Sequence, residues 1–160
     1  MTEGQLLRSV RLRSLEDAPE AFGQPLEEAA AKPTLEWHRN ALQSWQGRHH
    51  TWLLAETAGE VVGVVHGRRR SPATLLVFSM WVDPGARRSG VGRRLIAEVE
   101  AWAGRWGATE TILWVLLRNG SALDFYRQLG FEPVTSGPDA ESGARFDAVA
   151  LSRGIGTGAR

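Results

Sequence analysis

Apolar and polar positions change period several times along this chain, and each change marks an element. Val10 and Leu12 alternate with Arg11 and Arg13, which predicts a first short strand. Leu15 to Ala21 reads as a short helix ending near Gly23 and Pro25. Leu35, His38, Leu42 and Trp45 recur at helical spacing, so the chain after Pro33 is expected to be helical up to about Gly47. Thr51 to Glu56 and Val61 to His66 are β-rich runs flanking the turn Thr57-Ala58-Gly59-Glu60, a hairpin pattern. Thr74 to Val82 is a third run, closed by Asp83-Pro84-Gly85.

The strongest helical signal follows. Val91, Leu95, Val99, Trp102 and Trp106 form one apolar stripe, with Gly107 placed to end it. Thr111 to Leu116 is strongly β-forming with little alternation, which predicts a strand buried on both faces. Ser121 is the expected cap of the next helix, with Asp124 three residues on, and Ala122, Phe125, Tyr126 and Leu129 supply its apolar face. Phe131 to Val134 and Phe146 to Leu151 read as closing strands. Gly137 to Gly143 reads as a loop, and the glycine-bearing tail from Ser152 to Arg160 as frayed. The predicted order is β-α-α-β-β-β-α-β-α-β-β. Hairpins beside a strand-helix-strand crossover predict an α/β (α+β) chain with a mixed, mostly antiparallel sheet of six to seven strands flanked by helices.

Composition narrows the function. The 160 residues suit one domain, expected over 1–151, and the net charge of +1 calls for no nucleic-acid or membrane partner. With no cysteine, the chain has no thiolate metal site and no cysteine nucleophile. His49-His50 has no acidic residue or cysteine at ligand spacing, so no metal site is expected. The apolar runs are too short to span a bilayer, and a soluble cytoplasmic protein is the expectation.

The informative segment joins the third run to the long helix: Asp83-Pro84-Gly85-Ala86-Arg87-Arg88-Ser89-Gly90-Val91-Gly92-Arg93-Arg94. Gly90 and Gly92 strip side chains where the helix starts, so backbone N–H groups can converge on an anion. Those first N–H groups have no acceptor inside the helix, and the helix dipole adds positive potential. Arg87, Arg88, Arg93 and Arg94 add charge nearby. This is a pattern for a phosphate or pyrophosphate. The Gly-Lys-Ser/Thr ending of a Walker loop is absent, and a G-x-G-x-x-G fingerprint is incomplete.

Arg87-Arg88-Ser89-Gly90-Val91-Gly92 resembles the R/Q-x-x-G-x-G/A signature of the GNAT N-acetyltransferase superfamily. Asn119 to Phe131 is similar to that family's N-x-x-A-x-x-x-Y-x-x-x-G-F segment, at the expected place downstream. Many members have glycine where this chain has Arg88. The resemblance implies that acetyl-CoA is the co-substrate and that no metal is needed. It implies a pantetheine arm lying along the backbone of Met80, Trp81 and Val82 like an added strand, between splayed strands. It places the pyrophosphate on the amides of Arg87, Arg88, Ser89, Gly90, Val91 and Gly92, with Arg93 beside them. Asn119 would bond the pantetheine arm, and Ala122, Phe125 and Tyr126 would line the cofactor side of the next helix. Phe125 serves equally well as core packing.

The chemistry so implied is direct attack of an amine on a thioester carbonyl. An alkylamine with a pKa of roughly 10 must first lose a proton. The oxyanion needs donors, expected from amides near Met80, and Tyr126 is the candidate acid for the leaving thiolate. Glu56 and His66 sit on neighbouring strands as bases or as plain strand polar residues, and the sequence selects neither. Trp37, Trp45 and Phe22 would shape an aromatic acceptor pocket; Glu27 and Glu28 nearby read as a solvated acidic helix rather than as charges that draw in the amine, and Arg68-Arg69-Arg70 as a solvated turn. The partner expected is an amine of a small molecule or a protein, and the family leads one to expect a homodimer. A non-catalytic acyl-CoA-binding or sensor domain is the alternative.

Overall fold

The computed structural model describes residues 2–156. Helix α1 spans Glu3–Asp17, a 3₁₀ turn Pro19–Ala21, α2 Leu26–Ala31 and α3 Thr34–Gln46. Strands β1 (His50–Thr57), β2 (Glu60–Arg69) and β3 (Thr74–Val82) follow. Then come α4 (Val91–Gly104), β4 (Glu110–Leu116), α5 (Gly120–Gln128), β5 (Glu132–Pro133), α6 (Pro138–Arg145) and β6 (Ala148–Gly154). The six strands lie in the order β1-β2-β3-β4-β6-β5. Only the β3–β4 pair is parallel; the α4 crossover joins those two strands. The expected mixed, mostly antiparallel sheet with helices on its faces is what forms.

Helix α4 packs one face. Its Leu95, Ile96, Val99, Trp102 and Ala103 are buried, and Leu95, Val99 and Trp102 meet Val65, Val77 and Leu113 of the sheet. Gly67 lets this helix close on β2, since a Cβ there would stand 2.5 Å from Val99 Cγ2. The other face takes α1 and α3: Leu7, Val10, Trp37, Val61, Val64 and Trp81 form a second core.

Several expectations change. Val10 to Arg13 is not a strand but the middle of α1. Thr2 and Gln5 form a reciprocal capping box, and Leu7, Val10, Ser14 and Leu15 are its buried face, so helical phase overrides a four-residue alternation. The stripe read on α3 is out of phase: Leu35 and Leu42 are exposed, while Trp37 is buried. Trp37 is therefore core and not a pocket wall, and the Trp45 side chain lies outside the described residues. The loop expected over 137–143 is largely α6, opened by Gly137 at φ +87° and Pro138 at the first helical position. Ser121 does not cap α5; Asn119 does, its Oδ1 accepting from Ala122 N–H at 3.2 Å. Fraying does not begin at Ser152. That residue pairs with both Ile112 and Glu132, Gly154 pairs with Glu110, and Ile155 N–H donates to Thr109 O at 2.8 Å. Arg68, Arg69 and Arg70 are not a free turn: Arg68 stacks over Phe78, Arg69 over Trp106, and Arg70 forms a bidentate pair with Asp139.

Candidate active site

The site begins with a defect in β3. Val64 pairs with Trp81 and His66 with Phe78, so Ser79 and Met80 together oppose Val65. Ser79 carries the bulge at φ +52°. On the other side, β3–β4 pairing covers Thr74–Leu76 against Glu110–Ile112 and ends there. A strand that bulges just after its parallel partner lets go opens the sheet, and Met80 lies at that opening.

The chain then turns through Asp83, whose Oδ1 accepts from Gly85 N–H at 2.9 Å, and a 3₁₀ turn at Pro84–Ala86. Arg88 (φ +64°) and Gly90 (φ +90°) both take left-handed backbone, and α4 starts with no side-chain cap. Among the described residues, nothing accepts from the N–H groups of residues 88–93. Six amides at a helix start are thus available to an anion, with the positive end of the dipole behind them. Gly92 has a second role: a Cβ there would lie 3.1 Å from Phe125 Cζ and 3.2 Å from Met80 Cε.

Arg87 behaves differently from its neighbours. Its amide donates to Pro84 O at 3.4 Å, its Nε to Val82 O at 3.0 Å, and its guanidinium pairs with Asp17. Its charge holds the loop and is not mobile. Asp17 also accepts from Trp81 Nε1 at 2.9 Å, and Arg13 donates to Val61 O and pairs with Asp83 at 2.6 Å. Helix α1 therefore clamps the end of β3 and the loop. Sequence reasoning missed this clamp because it assigned Arg13 to a strand.

Trp81 points its ring into the α1 core, so it can face the opening only through its backbone; Val82 O is already taken by Arg87. Asn119 has its Oδ1 committed to the cap and to Ser121 Oγ, which leaves its Nδ2. Phe125 is half-buried and meets Tyr126 edge-on at 5.0 Å. Tyr126 is buried in the α4-side core against Phe131, and burial pushes its phenol well above the usual value. The structure thus gathers Met80, the free amides of 88–93, Phe125 and Tyr126 at one end of the sheet.

The opposite face carries an aromatic row that the sequence reading did not assemble. Trp52, His66, Phe78 and Trp114 come from four adjacent strands. His66 stacks on Trp52 at 4.3 Å, and Phe78 stacks on Trp114 at 6.2 Å. His66 Nε2 lies 3.3 Å from His50 Nδ1. Burial first, then the charges of His50, Arg68 and Arg11, drag the His66 pKa down to about 3, so the ring is neutral at physiological pH. Glu56 is exposed on the edge strand β1, where it lines a cavity of about 880 Å³ bounded also by Leu6, Ser44 and Arg94. That places it two strands from β3.

This fold and these loops define a class. The family model described as acetyltransferase (GNAT) family matches residues 12–131. The chain belongs to the GNAT acetyltransferase family. An uncharacterized N-acetyltransferase of Methanocaldococcus jannaschii is 38% identical over 56 residues, 35% of this chain and 25% of that protein. The chloroplastic GCN5-related N-acetyltransferase 7 of Arabidopsis thaliana is 33% identical over 90 residues, 54% of this chain and 31% of that protein. The chain thus matches about a quarter to a third of the length of these relatives. Among solved structures, the PaiA N-acetyltransferase of Thermoplasma acidophilum in complex with coenzyme A superposes with a TM-score of 0.76 at 15% identity, covering 95% of this chain and 92% of that one. The YncA structure from Salmonella typhimurium, with its cofactor acetyl-CoA, gives a TM-score of 0.71 at 16% identity over 99% and 94% of the chains. At these identities the superpositions establish the fold. No helix among the described residues is long and apolar enough to cross a membrane.

Proposed function

We propose that this chain transfers the acetyl group of acetyl-CoA directly to an amine. The observation that carries the reading is the bare start of α4: six unengaged amides in front of Gly90 and Gly92, at the mouth of the opening between β3 and β4. A pyrophosphate fits such a cradle, and coenzyme A supplies one together with an arm that can pair with the backbone at Met80. Arg88 and Arg93 are the mobile charges of the loop in this reading, while Arg87 anchors it. A cytoplasmic setting belongs to the same reading, because the reaction consumes acetyl-CoA.

In the reaction the amine nitrogen attacks the thioester carbonyl carbon. The C–N bond forms, the C–S bond breaks, and the electron pair departs on sulfur. Backbone N–H groups at the Ser79–Met80 bulge are the donors for the oxyanion. The Tyr126 phenol, kept protonated by burial, gives the thiolate its proton. His66 is neutral but a weak base, so it serves only within a water relay that carries the amine proton away.

The test is release of coenzyme A from acetyl-CoA with a panel of amines, amino acids, polyamines and peptides, beside calorimetry of acetyl-CoA binding. Turnover on at least one acceptor is expected. Tight binding with no turnover on any of them would instead make the chain an acyl-CoA sensor.

A further inference from the structure

Arg11 is a buried cation with no anion beside it among the described residues. It lies on the inner face of α1 and is 7% exposed. Its Nη2 reaches Gln24 Oε1 only at 3.5 Å, and its guanidinium stands 4.6 Å over the Phe22 ring. Its Nη1 is buried and has no hydrogen-bond partner among the described residues. Four other arginines held against the body of the protein have carboxylates: Arg13 has Asp83, Arg70 has Asp139, Arg87 has Asp17 and Arg153 has Glu100. Arg68 and Arg69 lie over aromatic rings without one, but both are more exposed than Arg11. Desolvation lowers the Arg11 pKa to about 10, which still leaves it charged at neutral pH. A desolvated, unpaired guanidinium is unfavourable unless something anionic completes it.

Its position says what that something is. Asp17 bonds Trp81 at the end of β3, and Glu20 O accepts from Arg118 at the end of β4. The end of α1 and the following turn thus bridge the two diverging strands on the face away from α4. From that bridge, Phe22 and Gln24 fold back onto Arg11, which stands roughly 9 Å up the helix from Asp17 at 1.5 Å per residue. Arg11 is also near enough to His66 to depress its protonation. It therefore lies on the sheet face away from the α4 cradle, the side left to an amine in the acetyl-transfer reading.

We propose that Arg11 binds a carboxylate of the acceptor, so that the acceptor is a free amino acid. Its amine would stand at the opening between β3 and β4, its carboxylate on the Arg11 guanidinium, and its apolar part against Phe22. This rests on the acetyl-transfer reading. The carboxylate is unchanged in the reaction: amine and acetyl thioester give amide and free thiol. A planar guanidinium suits a carboxylate because it offers two parallel N–H bonds.

Matched amines with and without the carboxylate test it: phenylalanine against phenethylamine, and leucine against isoamylamine. The wild type is expected to prefer the acid of at least one pair by about 100-fold in kcat/KM, the size expected for losing hydrogen bonds to a charged group. Arg11→Met fills the same space without charge. It should fold at least as stably, bind acetyl-CoA as before and lose the preference through a raised KM. Arg11→Lys keeps the charge without the fork and should fall between. A folded Arg11→Met that retains the preference, or a wild type with none in either pair, overturns the proposal. If no amine is acetylated at all, the acetyl-transfer reading fails, and thermal shift with N-acetyl-phenylalanine still decides on Arg11. Stabilisation of the wild type but not of Arg11→Met supports a carboxylate site, and no stabilisation of either refutes it.

Discussion

Arg88 and Gly90 have the same left-handed backbone at different cost. Gly90, at φ +90°, meets no Cβ penalty, whereas Arg88, at φ +64°, carries the strain of an L-residue in that region, of order 1 kcal/mol. The position where many family members have glycine is therefore one where this chain holds an arginine in a glycine conformation. Tyr126 is the residue proposed above as the acid for the leaving thiolate. Its ring is fixed by Phe125 and Phe131, so Tyr126→Phe should leave the core and the acetyl-CoA affinity nearly unchanged. Turnover should drop toward the low end of the ~10²- to 10⁴-fold range of general acids, because a thiolate is a tolerable leaving group. Wild-type turnover of this variant, in a reaction limited by chemistry, would take the phenol out of the mechanism.

At the scale of elements, α1 is a brace for the loop. Asp17 alone holds Trp81 Nε1 and the Arg87 guanidinium, and so ties the end of β3 to the start of the anion cradle. Asp17→Ala should raise the acetyl-CoA dissociation constant several-fold while leaving kcat with a saturating acceptor close to wild type. An unchanged constant in the folded variant would mean that the loop holds its shape unaided. This brace also shows where sequence reading stopped. Helix α4 and strand β4 were legible because their apolar patterns run over many residues. The glycine loop was legible because Gly90 and Gly92 fall at a strand-to-helix junction. Helix α1 was misread because Val10-Arg11-Leu12-Arg13 satisfies both periods, and only the burial of Leu7, Ser14 and Leu15 around it decides for the helix. With α1 misassigned, the contacts of Arg13 and Asp17 with β3 and the glycine loop could not be foreseen. The bulge at Ser79 leaves no mark in composition either, since any register within a β-rich run reads alike.

For the whole molecule, the last strand is an interior one. β6 lies between β4 and β5, and its Arg153 bonds Glu100 of α4 and the carbonyl of Leu129 at the end of α5. Glu100 in turn accepts from Thr111 on β4, so α4, α5, β4 and β6 close on one part-buried ion pair. Removing everything after Arg153 deletes the Gly154–Glu110 pair, the Ile155–Thr109 bond and the half-buried Ile155 side chain. Partial burial of such a side chain is worth about 1 kcal/mol, so the melting temperature should fall by roughly 2–4 °C. Removal of residues 157–160 alone is the control. Equal melting temperatures for the two truncations would show that the end of β6 adds nothing to stability.

The neutral His66 in the aromatic row also sets how the protein meets acid. An unfolded chain takes up a proton on this ring below pH 6.5, while the folded one resists until about pH 3. Between those values the unfolded state holds more protons, so stability falls with each step of acidification and levels off below the folded pKa. The slope is at most about 1.4 kcal/mol per pH unit from this group. His66→Gln, which cannot titrate, should flatten the fall in melting temperature between pH 6.5 and 4, and an unaltered acid limb in that variant would assign it to other groups. A ring locked between Trp52 and Phe78 thus makes unfolding a proton-consuming event, and a drop in ambient pH a direct load on the sheet that carries the site.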